Sequence, residues 1–159
     1  MLAQAAVFGG AQLQDSPRDA SVTHHSVKHG DVLVFATDGV WDNISPQEIL
    51  GIVSRFMMTS RGWKSLGSAG MAASKHLHRL TQPGGTGKAG DTAQDDHTLQ
   101  SIIATAITRD AKAAGMNPKR DGPFAKQVQK LYPEEGFHGG KEDDICVLVV
   151  IVVGVQYDD

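Results

Sequence analysis

The sequence TDGVWDN at positions 37–43 places a carboxylate, Asp38, two residues after the end of the apolar run Val32 to Ala36. A buried strand of this composition would deliver Asp38 to the edge of a sheet. A second acidic segment, GGKEDD at 139–144, precedes the apolar run Ile145 to Val153, and its Asp143 follows Asp38 by 105 positions (143 − 38). Two acids at strand edges suggest a shared ion, because Mg²⁺ and Mn²⁺ take oxygen ligands and can activate water against a phosphate ester.

The bulk properties describe one soluble globular domain of 159 residues. Lys and Arg total 15 against 18 Asp and Glu, and a net charge of −3 offers no general electrostatic reason to bind nucleic acid or an anionic membrane. The longest apolar run, Ile145 to Val153, is nine residues, well short of the roughly 20 that a membrane-spanning helix needs. The first residues, which lack a basic region, do not resemble a targeting peptide.

The elements around Asp38 can be predicted from local signals. Ser21 to Lys28, followed by a Gly-Asp turn, predicts a hairpin that enters a central strand at Val32. Beyond Asp42, the sequence SPQE at 45–48 is a capping box with proline at the first helical position, and it predicts a helix from Pro46 to Met58. Apolar residues at intervals of three and four then predict a second helix from Leu66 to Leu80.

The second half of the chain begins with a glycine- and aspartate-rich stretch at 82–97, which predicts a flexible loop. A third amphipathic helix is expected from Thr98 to Ala114, closed by Gly115 and lying on the sheet. A short helix from Pro123 to Leu131 and a terminal strand from Ile145 to Val153 complete the predicted order.

Other residues that could carry chemistry favour ordinary structural roles. Cys146 is the only cysteine, so an intramolecular disulfide and a cysteine-rich zinc site are excluded. It lies in a run of β-branched residues, which predicts a buried thiol. The pairs His24-His25 and His76/His78 point their side chains apart on a strand or a helix, so a solvated surface is favoured over metal binding. Three further features also favour surface roles: the acidic residues at 91–96, the GGTGK string at 84–88, and the basic turn at 75–79.

Together, the strings TDGVWD at 37–42 and GGKxDDIxV at 139–147 resemble the PPM-type (type 2C) metal-dependent serine/threonine protein phosphatases, in that family's order. The resemblance covers nearly the whole chain, including Gly30-Asp31 before the first strand and NPKR at 117–120. It is greatest to the branch found in mitochondria of fungi and animals, which implies a mitochondrial location, with a cytoplasmic one as the alternative.

The resemblance implies a role for individual residues. Asp38 corresponds to the aspartate that touches both metals, and Asp143 to the aspartate of the last metal-binding motif. Asp144, Gly39 and Asp42 correspond to supporting positions, where Asp42 fixes a turn. Trp41 is expected to pack its ring between helix and sheet. No side chain acts as a nucleophile, because the family uses a water bridging two Mn²⁺ or Mg²⁺ ions to attack phosphorus directly.

The implied fold is α+β, part of a four-layer αββα sandwich with antiparallel sheets whose amino-terminal strands are missing. The family's first metal-binding Asp-Gly does not occur before Asp38, and a complete domain is much longer than 159 residues. We therefore expect a single, incomplete carboxy-terminal half, with an uncovered apolar sheet face. A complete protein would be monomeric and act on phosphoproteins, whose identity the sequence does not specify.

Two alternatives to the enzyme interpretation stay open. A truncated chain could be a non-catalytic, phosphatase-like module that acts by binding a partner. A hydrolase of another family would need Asp38 and Asp143 close together without the sandwich, and carboxylates more than about 10 Å apart would exclude every metal interpretation.

Overall fold

The computed structural model describes residues 16–84 and 97–154, which form a mixed α+β structure. Three short 3₁₀ turns, at Pro17–Asp19, Gly67–Ala69 and Pro133–Glu135, connect the other elements. Those elements, in chain order, are β1 (Val32–Ala36), α1 (Asp38–Trp41), α2 (Pro46–Thr59), β2 (Trp63–Ser65), β3 (Met71–Ala73), α3 (Leu77–Leu80), α4 (Leu99–Gly115), α5 (Pro123–Leu131) and β4 (Val147–Ile151).

The two strands predicted to carry the acids pair with each other. β1 and β4 run antiparallel, with Val32 opposite Ile151 and Ala36 opposite Val147. In an antiparallel pair, the residues after one strand lie beside those before the other. The pairing therefore brings the segment that follows Ala36 against the segment that precedes Val147, as the predicted shared site requires.

Helix α4 packs on one face of this sheet, and the second long helix, α2, packs against α4. The Ser45–Glu48 capping box begins α2, and Thr98 with Ser101 makes a reciprocal cap at the start of α4, so both predicted helices are confirmed to within a residue or two. Both contribute to one core with β1 and β4, because their apolar side chains recur at helical spacing. The fully buried members include Met57 of α2 and Ile103 and Ile107 of α4.

The helix predicted from Leu66 to Leu80 is wrong. The structure has instead a β2–β3 hairpin, with Trp63 opposite Ala73, followed by the one-turn helix α3. Gly67 and Gly70 adopt φ values of 63° and 96°, which a regular right-handed helix does not allow. Of the residues whose spacing predicted the helix, Leu77 is buried and Leu66 is exposed.

The hairpin predicted before β1 is also wrong. Ser21 to Lys28 contain no strand, and β4 is the only partner of β1 among residues 16–84 and 97–154, so β1 is not a central strand there. The loop predicted at 82–97 lies largely outside the described residues, since 85–96 are not among them.

The second face of the β1–β4 sheet is open in the part of the chain that is described. Side chains alternate along a strand, so Val149 packs on the helices while its neighbours Leu148 and Val150 point the other way. Phe35, opposite Leu148, is 54% exposed, and Leu148 is 58% exposed. The same alternation places Cys146 on the solvent side, and the prediction of a buried thiol is wrong.

None of the described helices is both long enough and apolar enough to cross a bilayer.

Candidate metal centre

Three carboxylates from two distant segments meet where β1 and β4 pair. Asp38 is the first residue of α1, Asp42 is its C-cap, and Asp143 lies in the loop before β4. One oxygen from each lies within 4.8 Å of the others. Asp38 and Asp143, far apart in sequence, are therefore brought together as predicted.

The local fold explains why Asp38 and Asp42 share a side. They are four residues apart across the single turn of α1, and such residues lie on the same face of a helix. Thr37 joins this turn to the β4 side, since its backbone N–H donates to the Cys146 carbonyl at 3.1 Å and its hydroxyl to the Asp144 carbonyl at 2.9 Å. The contact fixes the start of α1 against the second acidic segment.

Gly39 allows these two segments to approach closely. A Cβ at this position would lie 2.5 Å from the Asp144 carbonyl oxygen and 3.2 Å from the Asp143 Cβ. Any other residue would push the segments apart. This close approach gives a physical basis to the supporting role expected of Gly39.

Asn43 clamps the second segment, and the sequence reasoning assigned it no role. Its side chain is 1% exposed, donates to the carbonyls of Gly39 at 2.8 Å and Lys141 at 2.7 Å, and accepts from the Lys141 N–H at 2.9 Å. All three bonds are made to backbone groups that would otherwise lack a partner, and a buried polar side chain usually has this function. An amide directly after the acidic turn was the available signal.

Lys141 lies among the acids and was likewise not predicted as part of the site. Its ammonium is 2.6 Å from Asp42 Oδ2 and 3.1 Å from Asp143 Oδ2, and it lies over the Phe124 ring. The hydrogen bond to Asp42 raises the pKa of Lys141, with a smaller contribution from Asp143. This cation partly neutralises two of the three carboxylates.

Asp143 itself is held in its charged form. The Asp144 backbone N–H donates to Asp143 Oδ1 at 2.9 Å and, together with Lys141, lowers the pKa of the Asp143 carboxyl. Asp144 thus acts through its backbone, and its carboxylate is not part of the group of three. Asp42, expected only to fix a turn, contributes a carboxylate to the group.

The loop before Lys141 is anchored on the helices. Gly140 lies so close to the end of α4 that an added Cβ would overlap the carbonyl oxygens of Ala114 and Gly115. The Asp121 carboxylate accepts hydrogen bonds from the Gly139 N–H, at 2.8 Å, and from the Gln129 side chain. The bond from Gln129 makes the largest contribution, and with the bonds from Gly139 and His138 it lowers the pKa of Asp121 to about 2. The acidic segment therefore rests on a fixed support.

An open cleft of about 330 Å³ adjoins the centre on the α4 side. Thr108, Lys112 and Met116 form one wall, and residues 141–145 form the other. Trp41, on α1, is 37% exposed, and its indole N–H donates to the Ala36 carbonyl, so the ring is less enclosed than expected.

The donor atoms fit a hard divalent cation. All three are carboxylate oxygens, the ligand type that Mg²⁺ and Mn²⁺ prefer, and two of the three residues are exposed to solvent. No other group of three or more His, Cys, Asp or Glu side chains that could share an ion occurs in residues 16–84 and 97–154. His24, His25, His76 and His78 are exposed and belong to no such group, whereas Asp91, Asp95 and Asp96 lie outside the described residues.

The chain is similar to known protein phosphatases. The family profile described as Protein phosphatase 2C matches residues 11–89. Protein phosphatase 2C homolog 7, mitochondrial, from Saccharomyces cerevisiae is 26% identical over 152 residues, covering 96% of this chain and 34% of the yeast protein. Probable protein phosphatase 2C 80 from Arabidopsis thaliana is 31% identical over 140 residues, covering 87% of this chain and 24% of the plant protein.

A solved structure supports the fold. The X-ray structure of the photosystem II phosphatase PBCP superimposes with a TM-score of 0.54 at 20% identity, over 90% of this chain and 44% of the other. The α+β expectation with antiparallel sheets is therefore confirmed, as part of a larger fold of that type. The chain spans about a third or less of the length of these two curated relatives.

Proposed function

This chain belongs to the protein phosphatase 2C family, and from that premise we propose that it supplies part of the active centre of a metal-dependent protein serine/threonine phosphatase. The substrates would be phosphoserine and phosphothreonine side chains of proteins. The observation that carries the proposal is the convergence of Asp38, Asp42 and Asp143 within 4.8 Å of one another.

Asp38 and Asp143 are the proposed metal ligands, with Asp42 as a third carboxylate available beside them. Bound Mn²⁺ or Mg²⁺ would supply water of lowered pKa and would stabilise charge on the phosphoryl oxygens. Gly39 and Asn43 keep the two ligand-bearing segments in contact. Asp144 orients Asp143 through its backbone N–H.

Lys141 balances the charge of the centre. Three carboxylates within a few ångströms repel one another, and an ammonium between Asp42 and Asp143 offsets that repulsion when no divalent cation is present. We propose that the ammonium leaves Asp143 when a divalent cation binds, because both would compete for the same oxygen.

Two ions need more ligands than these residues offer. Mg²⁺ prefers six oxygen ligands and retains several waters, and three carboxylates could hold one ion more readily than two. We propose that a two-ion centre obtains its remaining protein ligands from outside residues 16–84 and 97–154. On this view the chain forms one partial domain of a larger phosphatase.

Metal binding is tested by titrating the chain with Mn²⁺ in a calorimeter. We expect saturable binding that Asp38→Asn and Asp143→Asn each weaken at least about tenfold, since each removes a charged ligand. Glu134→Gln removes an exposed carboxylate from the turn after α5 and is the matched control, which should bind as the parent does. Equal binding by all four proteins would contradict the proposed centre.

Catalysis is tested separately, with p-nitrophenyl phosphate and a phosphothreonine peptide in the presence of Mn²⁺. Turnover abolished by Asp38→Asn but not by Glu134→Gln would support an active enzyme. Metal binding without turnover would instead support a non-catalytic, phosphatase-like binding module.

We propose a mitochondrial location from the similarity to the yeast protein whose name carries that term. A tagged copy of the complete gene product, viewed against a mitochondrial marker, would test the location.

A further inference from the structure

A long stretch of the chain carries positive charge without any acid. Between Ile49 and Gly90 there is no Asp or Glu, although the whole chain has a net charge of −3. The same stretch carries six Lys and Arg residues, which are Arg55, Arg61, Lys64, Lys75, Arg79 and Lys88. The proposed phosphatase chemistry gives no role to these cations.

The structure gathers part of this charge around one concavity, here called the basic cleft. It has a volume of about 320 Å³ and lies between the end of α2, the β2 strand and α3. It shares no lining residue with the cleft beside the metal centre. Its polar lining residues are Ser60, Arg61, Lys64, Ser74, His76 and Arg79.

The cations of the basic cleft have no acidic partner among the described residues. None of the five ion pairs there involves Arg61, Lys64 or Arg79. Like charges that share a concave surface repel one another, and the arrangement concentrates a positive potential that attracts anions. A solvated basic surface would more often be spread over a convex face than converge on a cleft.

Arg61 occupies a backbone position that suits glycine. Its φ of 61° is the only positive value among the described non-glycine residues, and it lies two residues beyond the end of α2. Helices commonly end with glycine in this conformation, and a side chain there is strained. A favourable interaction with the helix dipole could explain a cation at position 61, near the C-terminus of α2. It would not explain why Lys64 and Arg79 line the same cleft.

The hairpin geometry argues against a flat membrane surface as the ligand. Ser65 pairs with Met71, so the exposed Met71 side chain lies on the face of the hairpin opposite to Lys64. A membrane-binding surface would combine its apolar and basic side chains on one face. A discrete anionic group that enters the cleft fits the arrangement better.

We propose that the basic cleft binds a phosphate monoester group. Arg and Lys side chains are the usual partners of phosphate oxygens, and a volume of about 300 Å³ or more is typical of sites for small groups. The proposal is independent of the phosphatase centre, because the contacts need no divalent cation.

The experiment titrates the full 159-residue chain with inorganic phosphate and with O-phosphoserine, in EDTA, and follows backbone amides by NMR. We expect saturable shifts centred on residues 60–64 and 74–79. The double variant Lys64→Gln/Arg79→Gln should weaken binding at least about tenfold, because two charged partners are lost. The matched control Lys119→Gln/Lys130→Gln removes the same charge from exposed positions outside the cleft and should bind as the parent does.

Arg61→Gly separates binding from folding. Glycine suits the left-handed conformation, so the variant should melt at the same temperature or higher while binding phosphate several-fold more weakly. Absence of saturable phosphate binding, equal loss in the control, or unchanged binding by Arg61→Gly would each overturn the proposal. Binding only to vesicles that contain phosphatidylserine would overturn it as well and would indicate a membrane surface.

Discussion

The metal centre and the basic cleft concentrate opposite charges by different means. The acids meet through contacts between segments about 100 residues apart, such as the Asn43–Lys141 and Lys141–Asp42 hydrogen bonds. The cations lie within one short segment, from Ser60 to Arg79. A site assembled over long range depends on the packing between its segments, whereas a local site depends on the geometry of one hairpin and one turn.

The largest expected effect comes from the packing beneath the metal centre. Gly140→Ala would place a methyl group against the carbonyls at the end of α4, and we expect the free energy of unfolding to fall by about 3 kcal/mol. The matched control is Gly51→Ala in α2, where nothing lies within 4 Å of the new methyl group. It should raise the free energy of unfolding by up to about 1 kcal/mol in urea denaturation.

Removing the buried clamp should have the next largest effect. Asn43→Ala leaves backbone groups of Gly39 and Lys141 without partners, and we expect a loss of about 2 kcal/mol in urea denaturation. Asn117→Ala removes one exposed hydrogen bond and should cost only about 0.5 kcal/mol. Similar losses in both variants would show that Asn43 is not the clamp between the segments.

The charge balance of the centre can be altered without removing a ligand. Lys141→Gln removes an ammonium that competes for Asp143, and a unit charge at about 4 Å in water is worth about 1 kcal/mol. Mn²⁺ should therefore bind about fivefold more tightly, as measured by calorimetry. Lys119→Gln, on an exposed turn, is the control. Weaker Mn²⁺ binding by Lys141→Gln would mean that Lys141 positions the ligands rather than competing with the ion.

In the basic cleft, a substitution that relieves backbone strain should raise the stability of the fold rather than lower it. Arg61→Gly relieves a left-handed side-chain conformation, and we expect the free energy of unfolding to rise by about 0.5 to 1 kcal/mol. Thermal melting measures the gain. A loss of stability would show that the Arg61 side chain supports the hairpin itself.

Strong acid should weaken the support that Asp121 gives to the metal centre. The native pKa of Asp121 is lowered to about 2, so the stability it contributes is present above its ordinary value of 3.8 and is lost as pH falls towards 2. Melting temperatures at pH 5, 3 and 2 should show a smaller decline for Asp121→Asn than for the parent. If the melting temperatures of Asp121→Asn and the parent fell equally with pH, the charged form of Asp121 would not stabilise this loop.

Local signals were sufficient for much of the fold. The SPQE capping box predicted α2, and the apolar stripe beyond Thr98 predicted α4. The prediction between Leu66 and Leu80 failed because intervals of three and four occurred by chance in a segment whose glycines adopt positive φ. Periodicity describes which side chains could share a face, and it does not establish that a helix forms.

The candidate site was predicted in part. Asp38 and Asp143 were identified because each adjoins an apolar strand, and the antiparallel pairing of β1 with β4 brings them together. Asn43 and Lys141 were missed, since the contacts that give them their roles join residues 98 positions apart. The basic turn at 75–79 was noted, but its convergence with Arg61 and Lys64 was not.

By itself, the sequence determined where β1 and the helices α2 and α4 begin, to within a residue, and which acids stand at strand edges, because these depend on neighbouring residues. Only the tertiary structure decided that Asp42 joins Asp38 and Asp143, that Lys141 lies among them, and that Arg61, Lys64 and Arg79 line one cleft. Contacts of this kind depend on how distant segments pack, and packing is a property of the whole core rather than of any one stretch.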